Sequence, residues 1–424
     1  MTPDFQNSLR FASALDRDDE LRLFRNKFHI PKYKGKPAIY FIGNSLGLQP
    51  KATKQLLMEE LSDWATLGGD GHLNSRRPWL YYHKFTKKAL AQLTGAKASE
   101  VVAMNQLTVN LHLMMVTFYR PDTKRFKILT EAGAFPSDQY AFESQIKFHG
   151  LNPDDALIEL SPRKGEHTLR TEDILSAIEA HASELALVIF GGVQYYTGQF
   201  FDIQKITAAG QRAGAYVGFD LAHAIGNTPL NLHRHNVDFA VWCSYKYLNA
   251  GPGGLAGAFI HERHGKDFSL PRFAGWWGHN ETDRFKMEKG FQPMQGIDGW
   301  QLSNVPILQA AALMASLHVF QEAGINALRK KSVLLGKYLM FLLSQINPDN
   351  KHFTILTPGD TRERGCQFSL YFPRNGKQIF DLLTKAGIVA DYREPNVIRV
   401  APVPLYNTFS EVFRFADVLH KILK

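Results

Sequence analysis

Short, almost wholly apolar runs recur along this chain, separated by stretches with helical spacing. The runs Leu185-Ala186-Leu187-Val188-Ile189-Phe190, Ala215-Tyr216-Val217-Gly218-Phe219, Val237-Asp238-Phe239-Ala240-Val241-Trp242-Cys243 and Gly257-Ala258-Phe259-Ile260 are rich in β-branched and aromatic residues, and each reads as a buried strand. Between about 45 and 305 they alternate with helical stretches such as Val109-Asn110-Leu111-His112-Leu113-Met114-Met115-Val116. The pattern predicts an α/β domain, a mostly parallel sheet flanked by helices. After Pro306, a helix through Leu313, Leu317 and Phe320 leads to a second helix around Lys330–Leu335. Strands near Phe353–Leu356 and Gln367–Tyr371 and a terminal helix from Phe409 to Leu423 then predict a smaller α+β domain over 306–424. Residues 1–44 read as an N-terminal arm with a charged helix from Asp16 to Phe24, packed on the main body.

Composition narrows the class without naming it. With 424 residues, 45% of them hydrophobic, the chain can bury a large core and more than one domain. Two cysteines, Cys243 and Cys366, make no disulfide framework and point to a reducing compartment. No apolar signal region opens the sequence and no run approaches ~18 apolar residues, so the expectation is a cytoplasmic protein without a membrane partner. The net charge of +9 raises nucleic-acid binding. Its basic residues are nevertheless scattered among acids, as in Arg362-Glu363-Arg364, and the cluster Arg329-Lys330-Lys331 reads as a solvated helix face. No nucleic-acid partner is expected, and the positive balance suits a substrate or cofactor carrying carboxylate or phosphate.

The chemistry starts at Ser244-Tyr245-Lys246, which follows an apolar run and precedes Gly251-Pro252-Gly253-Gly254. A lysine at a strand end in a partly dry site has its ammonium form disfavoured and its amine available to condense with an aldehyde. Asp220 closes another apolar strand 26 residues earlier (246 − 220). That interval fits a strand, a loop and a return strand, which brings both side chains to one edge of the sheet, where open α/β sheets bind ligands. Asp220 could serve merely as a cap or turn residue in Asp-Leu-Ala-His, but with Lys246 it suggests pyridoxal-phosphate chemistry, in which a carboxylate keeps the pyridine nitrogen protonated. Thr108, at the start of the Val109 helix, is placed both as a cap and as a phosphate ligand. Phe135, in Ala134-Phe135-Pro136-Ser137-Asp138, offers a flat partner for the ring. His233-Arg234-His235 is a pair without a third ligand, so no metal is expected.

These motifs, with Gly43-Asn44-Ser45-Leu46-Gly47, Tyr195-Tyr196-Thr197-Gly198-Gln199, Cys243-Ser244-Tyr245-Lys246-Tyr247-Leu248-Asn249, Gly275-Trp276-Trp277-Gly278-His279, Ser303-Asn304-Val305-Pro306 and Ile398-Arg399-Val400, resemble those of the kynureninases over residues from about 40 to 402. The kynureninases are fold-type I pyridoxal-phosphate hydrolases of the aspartate-aminotransferase superfamily. The resemblance implies that Lys246 is the Schiff-base lysine and Asp220 the partner of the pyridine nitrogen, with Asp138 assisting. It implies that Phe135 stacks on the ring beside Pro136 and Ser137, that Leu107, Thr108 and Tyr245 meet the phosphate, and that His223 lies close to the cofactor. Trp276 and Asn304 would close the pocket of the neighbouring subunit, which implies a homodimer. Arg399 would clamp the substrate carboxylate, a task suited to guanidinium geometry. Ser45 and Trp277 would line the substrate site. The pair His72 and Asn304 is similar to that of members favouring 3-hydroxykynurenine over kynurenine. Gly191 departs from the resemblance, standing where relatives carry a small hydroxyl residue.

The implied reaction is hydrolysis of the Cβ–Cγ bond of a kynurenine to an anthranilate and alanine, in tryptophan degradation or NAD synthesis, with Tyr245 as an acid–base group near the γ-carbonyl. An aminotransferase or a cysteine desulfurase shares the Asp220 and Lys246 pair. Cys366, beside a probable strand, makes a poor mobile thiol for the latter. A non-catalytic binding protein on the same fold would not be expected to keep the lysine.

Overall fold

The computed structural model describes residues 4–424. Its central sheet has seven strands, β1 (Val101–Ala103), β2 (Lys127–Glu131), β3 (Leu157–Leu160), β4 (Leu185–Gly191), β5 (Tyr216–Asp220), β6 (Phe239–Trp242) and β7 (Gly257–Ile260), in the order β1-β7-β6-β5-β4-β2-β3. Strands β2 to β6 run parallel, and β7 is reversed between β6 and β1. Nearly every residue of β4, β5, β6 and β7 is buried, because helices cover both faces. The apolar runs of the sequence are these strands. The parallel sense of β2 to β6 gathers their carboxyl ends along one edge, and that edge carries the site.

The N-terminal helix lies earlier than the charge pattern suggested. It is α1, Leu9–Asp18, and it ends where the expected helix begins. Ser8 accepts the Phe11 N–H at 3.2 Å and fixes the start. Asp18, Asp19 and Glu20 would set three negative charges at the helix carboxyl end, against its dipole. Instead Asp19 Oδ1 accepts the Leu21 N–H at 2.9 Å and the chain turns into a 3-10 segment, Arg22–Lys27.

Two helices open the sheet's ligand edge, α2 (Leu107–Phe118) and α3 (Pro136–Phe148). The C-terminal third begins with α4 (Ile307–Ala323), whose Ala310, Leu313, Leu317 and Phe320 join the large core, and α5 (Ile325–Ile346). An antiparallel sheet of β8 (Thr354–Ile355), β9 (Phe368–Tyr371), β10 (Asp391–Arg393) and β11 (Val397–Val400), in the order β8-β9-β11-β10, packs with α6 (Gly376–Lys385) and α7 (Phe409–Leu423). Its core takes in Leu335, Leu339, Phe368, Ile398, Val412 and Phe415, together with Ala12 and Phe41 from the N-terminal segment. Ile39–Tyr40 pairs in parallel with Ile388–Val389. Among the described residues no helix is long and apolar enough to cross a membrane.

The cluster Arg329-Lys330-Lys331 is not a solvated face. Lys331 is buried and paired with Asp19 at 2.7 Å, and Arg329 donates to the Thr361 and Arg364 carbonyls, which leaves only Lys330 exposed. The acid that neutralises Lys331 lies more than 300 residues earlier, beyond the reach of local pattern.

Candidate active site

Asp220 is the last residue of β5, and the neighbouring parallel strand β6 ends four residues before Lys246. Both side chains therefore emerge at the same edge. The pocket there is lined by Leu107, Thr108, Phe135, Asp138, Tyr245 and Lys246, with Glu131, Ser137, Gly191, Val193, Tyr195, Asp220, Ala222 and His223 completing its wall. Lys246 Nζ lies 3.0 Å from His223 Nε2 and 5.6 Å from the centre of the Phe135 ring. Burial, reinforced by the Lys246 charge, holds the His223 imidazole well below its ordinary pKa, so the neutral ring accepts a hydrogen bond from the lysine. The lysine loop is gripped from behind by the N-terminal segment. Gly47 N–H donates to the Tyr245 carbonyl at 2.8 Å, and a Cβ at Gly47 would stand 2.2 Å from the Lys246 carbonyl oxygen, so only glycine fits.

At the other end of the pocket the first turns of α2 and α3 converge, with Thr108 Oγ1 and Ser137 Oγ 2.7 Å apart. Thr108 is not the cap expected from the sequence. The cap position belongs to Gln106, whose side chain donates to the Gly253 carbonyl at 3.1 Å instead of closing the helix. With no side-chain cap on either helix, the opening amides stay free to meet an anion. Pro136, exposed at the first position of α3, removes one N–H that would otherwise need a partner.

Between these ends sit three buried acids. Asp220 Oδ1 accepts the Ala222 N–H at 2.6 Å. Burial raises the pKa of Asp220, opposed by the Lys246 charge, and raises that of Asp138 further because Asp220 lies against it. The two carboxyls repel one another when both are charged, and one proton held between them relieves that repulsion. The third acid, Glu131 at the end of β2, went unread in the sequence. Its two oxygens accept the Gly191 N–H at 3.1 and 3.2 Å, and burial lifts it to about 7. The only signal for it was a glutamate closing the apolar run Ile128-Leu129-Thr130.

Arg399, on β11, is fully buried, donates to the Tyr195 carbonyl at 2.5 Å and pairs with Asp391. Tyr195 in turn meets Phe135 edge-on at 5.2 Å, which ties the arginine to the pocket wall. Tyr245 lines the pocket, and burial, with the Cys243 thiol adding to it, raises its pKa. Ser45 lies on the loop that braces the lysine. The remaining sequence candidates are not gathered here. His72 is exposed and packs on the Trp79 edge at 5.5 Å, Trp276 is 46% exposed, Trp277 is buried beneath Arg284, and the Asn304 carbonyl oxygen is buried without a partner.

Among curated proteins, the chain is 55% identical over 418 residues to the kynureninase of Flavobacterium psychrophilum, covering 98% of each chain. It is 50% identical over 432 residues to the kynureninase of Homo sapiens, covering 98% of this chain and 93% of that one. The chain belongs to the kynureninase family. A family model for the kynureninase C-terminal domain matches residues 328–419. Among solved structures, a cysteine desulfurase from Thermococcus onnurineus superposes with a TM-score of 0.74 at 18% identity, covering 91% of this chain and 94% of that one, a likeness of fold.

The residues at this kynureninase-family site fit pyridoxal 5′-phosphate. An amine, a buried acid pair, a flanking aromatic ring and two open helix starts surround one space, and two buried polar atoms of its lining residues, Asp138 Oδ1 and His223 Nδ1, have no partner among the described residues. Elsewhere, His233 does not stand alone with His235 as the sequence suggested. It meets Glu100 at 2.9 Å, and His261 completes a group with ligand spacing. The two imidazoles stack at 4.9 Å and 7°, a geometry that sets their nitrogens side by side, and Glu100 is occupied by the N–H groups of Lys97 and Glu262. The group serves as a structural brace.

Proposed function

We propose that this protein is a kynureninase acting on L-kynurenine and 3-hydroxy-L-kynurenine, which it hydrolyses to anthranilate or 3-hydroxyanthranilate and L-alanine. The observation that carries the reading is the single pocket in which Lys246, His223, the Asp138–Asp220 pair and Phe135 face the open starts of two helices.

Pyridoxal 5′-phosphate, when bound, supplies an electron sink for the bonds broken at the substrate's Cα and Cβ. Lys246 would hold it through its amine, Asp220 with Asp138 would take the ring nitrogen, Phe135 would cover the ring face, and Leu107, Thr108, Ser137 and Tyr245 would receive the phosphate. The protein's own contribution is positioning and proton movement. Lys246, once free, takes the Cα proton, and His223 holds its amine in place. Arg399, fixed by Asp391 and the Tyr195 carbonyl, receives the α-carboxylate. Tyr245, with a hydroxyl kept protonated by burial, donates toward the γ-carbonyl as water adds. Trp276, Trp277, His72, Asn304 and Ser45 would shape the substrate side.

Two copies are needed to complete this arrangement. The orphaned Asn304 oxygen, exposed Trp276 and an apolar groove lined by Ile30, Tyr40, Leu48, Leu57, Pro252 and Leu308 support a homodimer. We take residues 45–305 as the cofactor-holding unit, 306–424 as the smaller domain and 1–44 as an arm, in a cytoplasmic enzyme of tryptophan degradation or NAD synthesis. Both cysteines are buried and free, which suits a reducing compartment.

The test is direct. Purified protein mixed separately with kynurenine and 3-hydroxykynurenine should form the matching anthranilate and one alanine per turnover. Transamination without anthranilate would reject the assignment. His72→Trp combined with Asn304→Thr should move kcat/KM toward kynurenine, and an unchanged ratio would remove those two residues from substrate choice.

A further inference from the structure

The chain carries a third acid at the end of the pocket that takes the ring nitrogen. Glu131, Gly191 and Asp220 terminate three adjacent parallel strands, β2, β4 and β5, with Gly191 in direct register with Asp220. The Glu131 carboxyl leans across the gap above Gly191 and accepts its N–H with both oxygens. A Cβ at Gly191 would stand 3.0 Å from Glu131 Oε1, tighter than a carboxyl oxygen tolerates without moving. The bare glycine lets the carboxyl sit close above it, and a side chain there would push the carboxyl aside by a few tenths of an ångström. Glu131 is 4% exposed, lines the pocket and has no cationic partner among the described residues, its neighbours being the Thr130 hydroxyl at 3.4 Å, Asp220 from β5 and Asp138 from α3. Lys246, hydrogen-bonded to His223, bears on the same pair with its positive charge.

We propose that Glu131 is a positioning residue for the cofactor's pyridinium, adding negative potential behind Asp220 and Asp138 when it is ionised, and that Gly191 exists at its position to hold this carboxyl in place. The proposal rests on pyridoxal 5′-phosphate being the cofactor. A positively charged ring nitrogen favours the ionised form of an acid beside it, so cofactor binding should draw a proton off Glu131 over the range in which that group titrates, around pH 7. Cofactor affinity gains from this residue above that range and not below it.

The experiment titrates full-length apoprotein with pyridoxal 5′-phosphate from pH 5.5 to 8.5, reading tryptophan fluorescence and cofactor absorbance, for the wild type, Glu131→Gln and Gly191→Ala. Glu131→Gln keeps an acceptor for the Gly191 N–H while removing the charge. It should bind about tenfold more weakly than wild type at pH 8 and converge on it toward pH 5.5. Gly191→Ala should weaken binding in the same pH-dependent way, and adding it to Glu131→Gln should cost little more, because both act through one carboxyl. Equal affinities and parallel pH profiles for wild type and Glu131→Gln would overturn the proposal, as would a loss of affinity constant with pH, which marks a purely structural role. A wild type that failed to bind the cofactor at all would instead reject the functional assignment on which this rests.

Discussion

If Lys246 moves a proton and Arg399 only holds the substrate, the two should fail differently when removed. Lys246→Ala should abolish the visible absorption of the holoprotein and lower turnover about 100- to 10,000-fold, read by spectrum and anthranilate release. Arg399→Lys keeps the charge but loses the two-pronged geometry set by Asp391 and the Tyr195 carbonyl. KM should rise about 10- to 100-fold with cofactor still bound, and loss of cofactor would place this arginine in the wrong role. At this scale the sequence was legible where a reactive residue punctuates an apolar strand, as Asp220 and Lys246 do. Glu131 escaped because a glutamate closing a strand looks like a residue placed for solubility. Lys331 was misread because its neutralising partner, Asp19, is distant in sequence.

Among the elements, the helix Tyr82–Thr94 carries an acid-sensitive residue. His83 is fully buried with neither ring nitrogen partnered, and burial together with Lys87, Lys84 and Arg284 pushes it down to about 3. A histidine whose folded pKa is depressed stabilises the fold above its unfolded pKa, near 6.5, and that contribution is lost as pH falls toward 3. Wild-type stability should drop by about 3 kcal/mol between pH 6.5 and 4 through this group, and His83→Leu should flatten that part of the profile in urea titrations. The strands of the large sheet could be read directly, since burial on both faces writes a run and not an alternation. Short β10 left no comparable trace, α6 went unread although Ile379 and Leu383 recur at helical spacing, and the N-terminal helix was displaced because charge density was taken for helicity where Asp19 in fact starts a turn.

For the whole molecule, the decisive feature is the separation of Lys246 from Trp276 and Asn304 within one chain. If each site borrows the latter two from a second copy, light scattering should give twice the chain mass. Mixing Lys246→Ala with Asn304→Trp, whose bulk should block whichever pocket it enters, should restore up to about a quarter of wild-type activity, since half the dimers are mixed and each has one intact site. Activity that stays at zero in exchanged mixtures would confine each site to one chain. The family resemblance supplied this expectation. Hydrophobic pattern could not, because a surface covered only by a second copy looks like any other exposed apolar face.

One ribbon of backbone links the C-terminal sheet to the lysine loop. Residues 39–47 are stitched at one end to the C-terminal sheet region, through Phe41 N–H to Val389 and Ala401 N–H to Phe41, and at the other to the carbonyl of Tyr245 through Gly47. A shift of the C-terminal sheet would tug this cord and reach the reactive amine through the backbone.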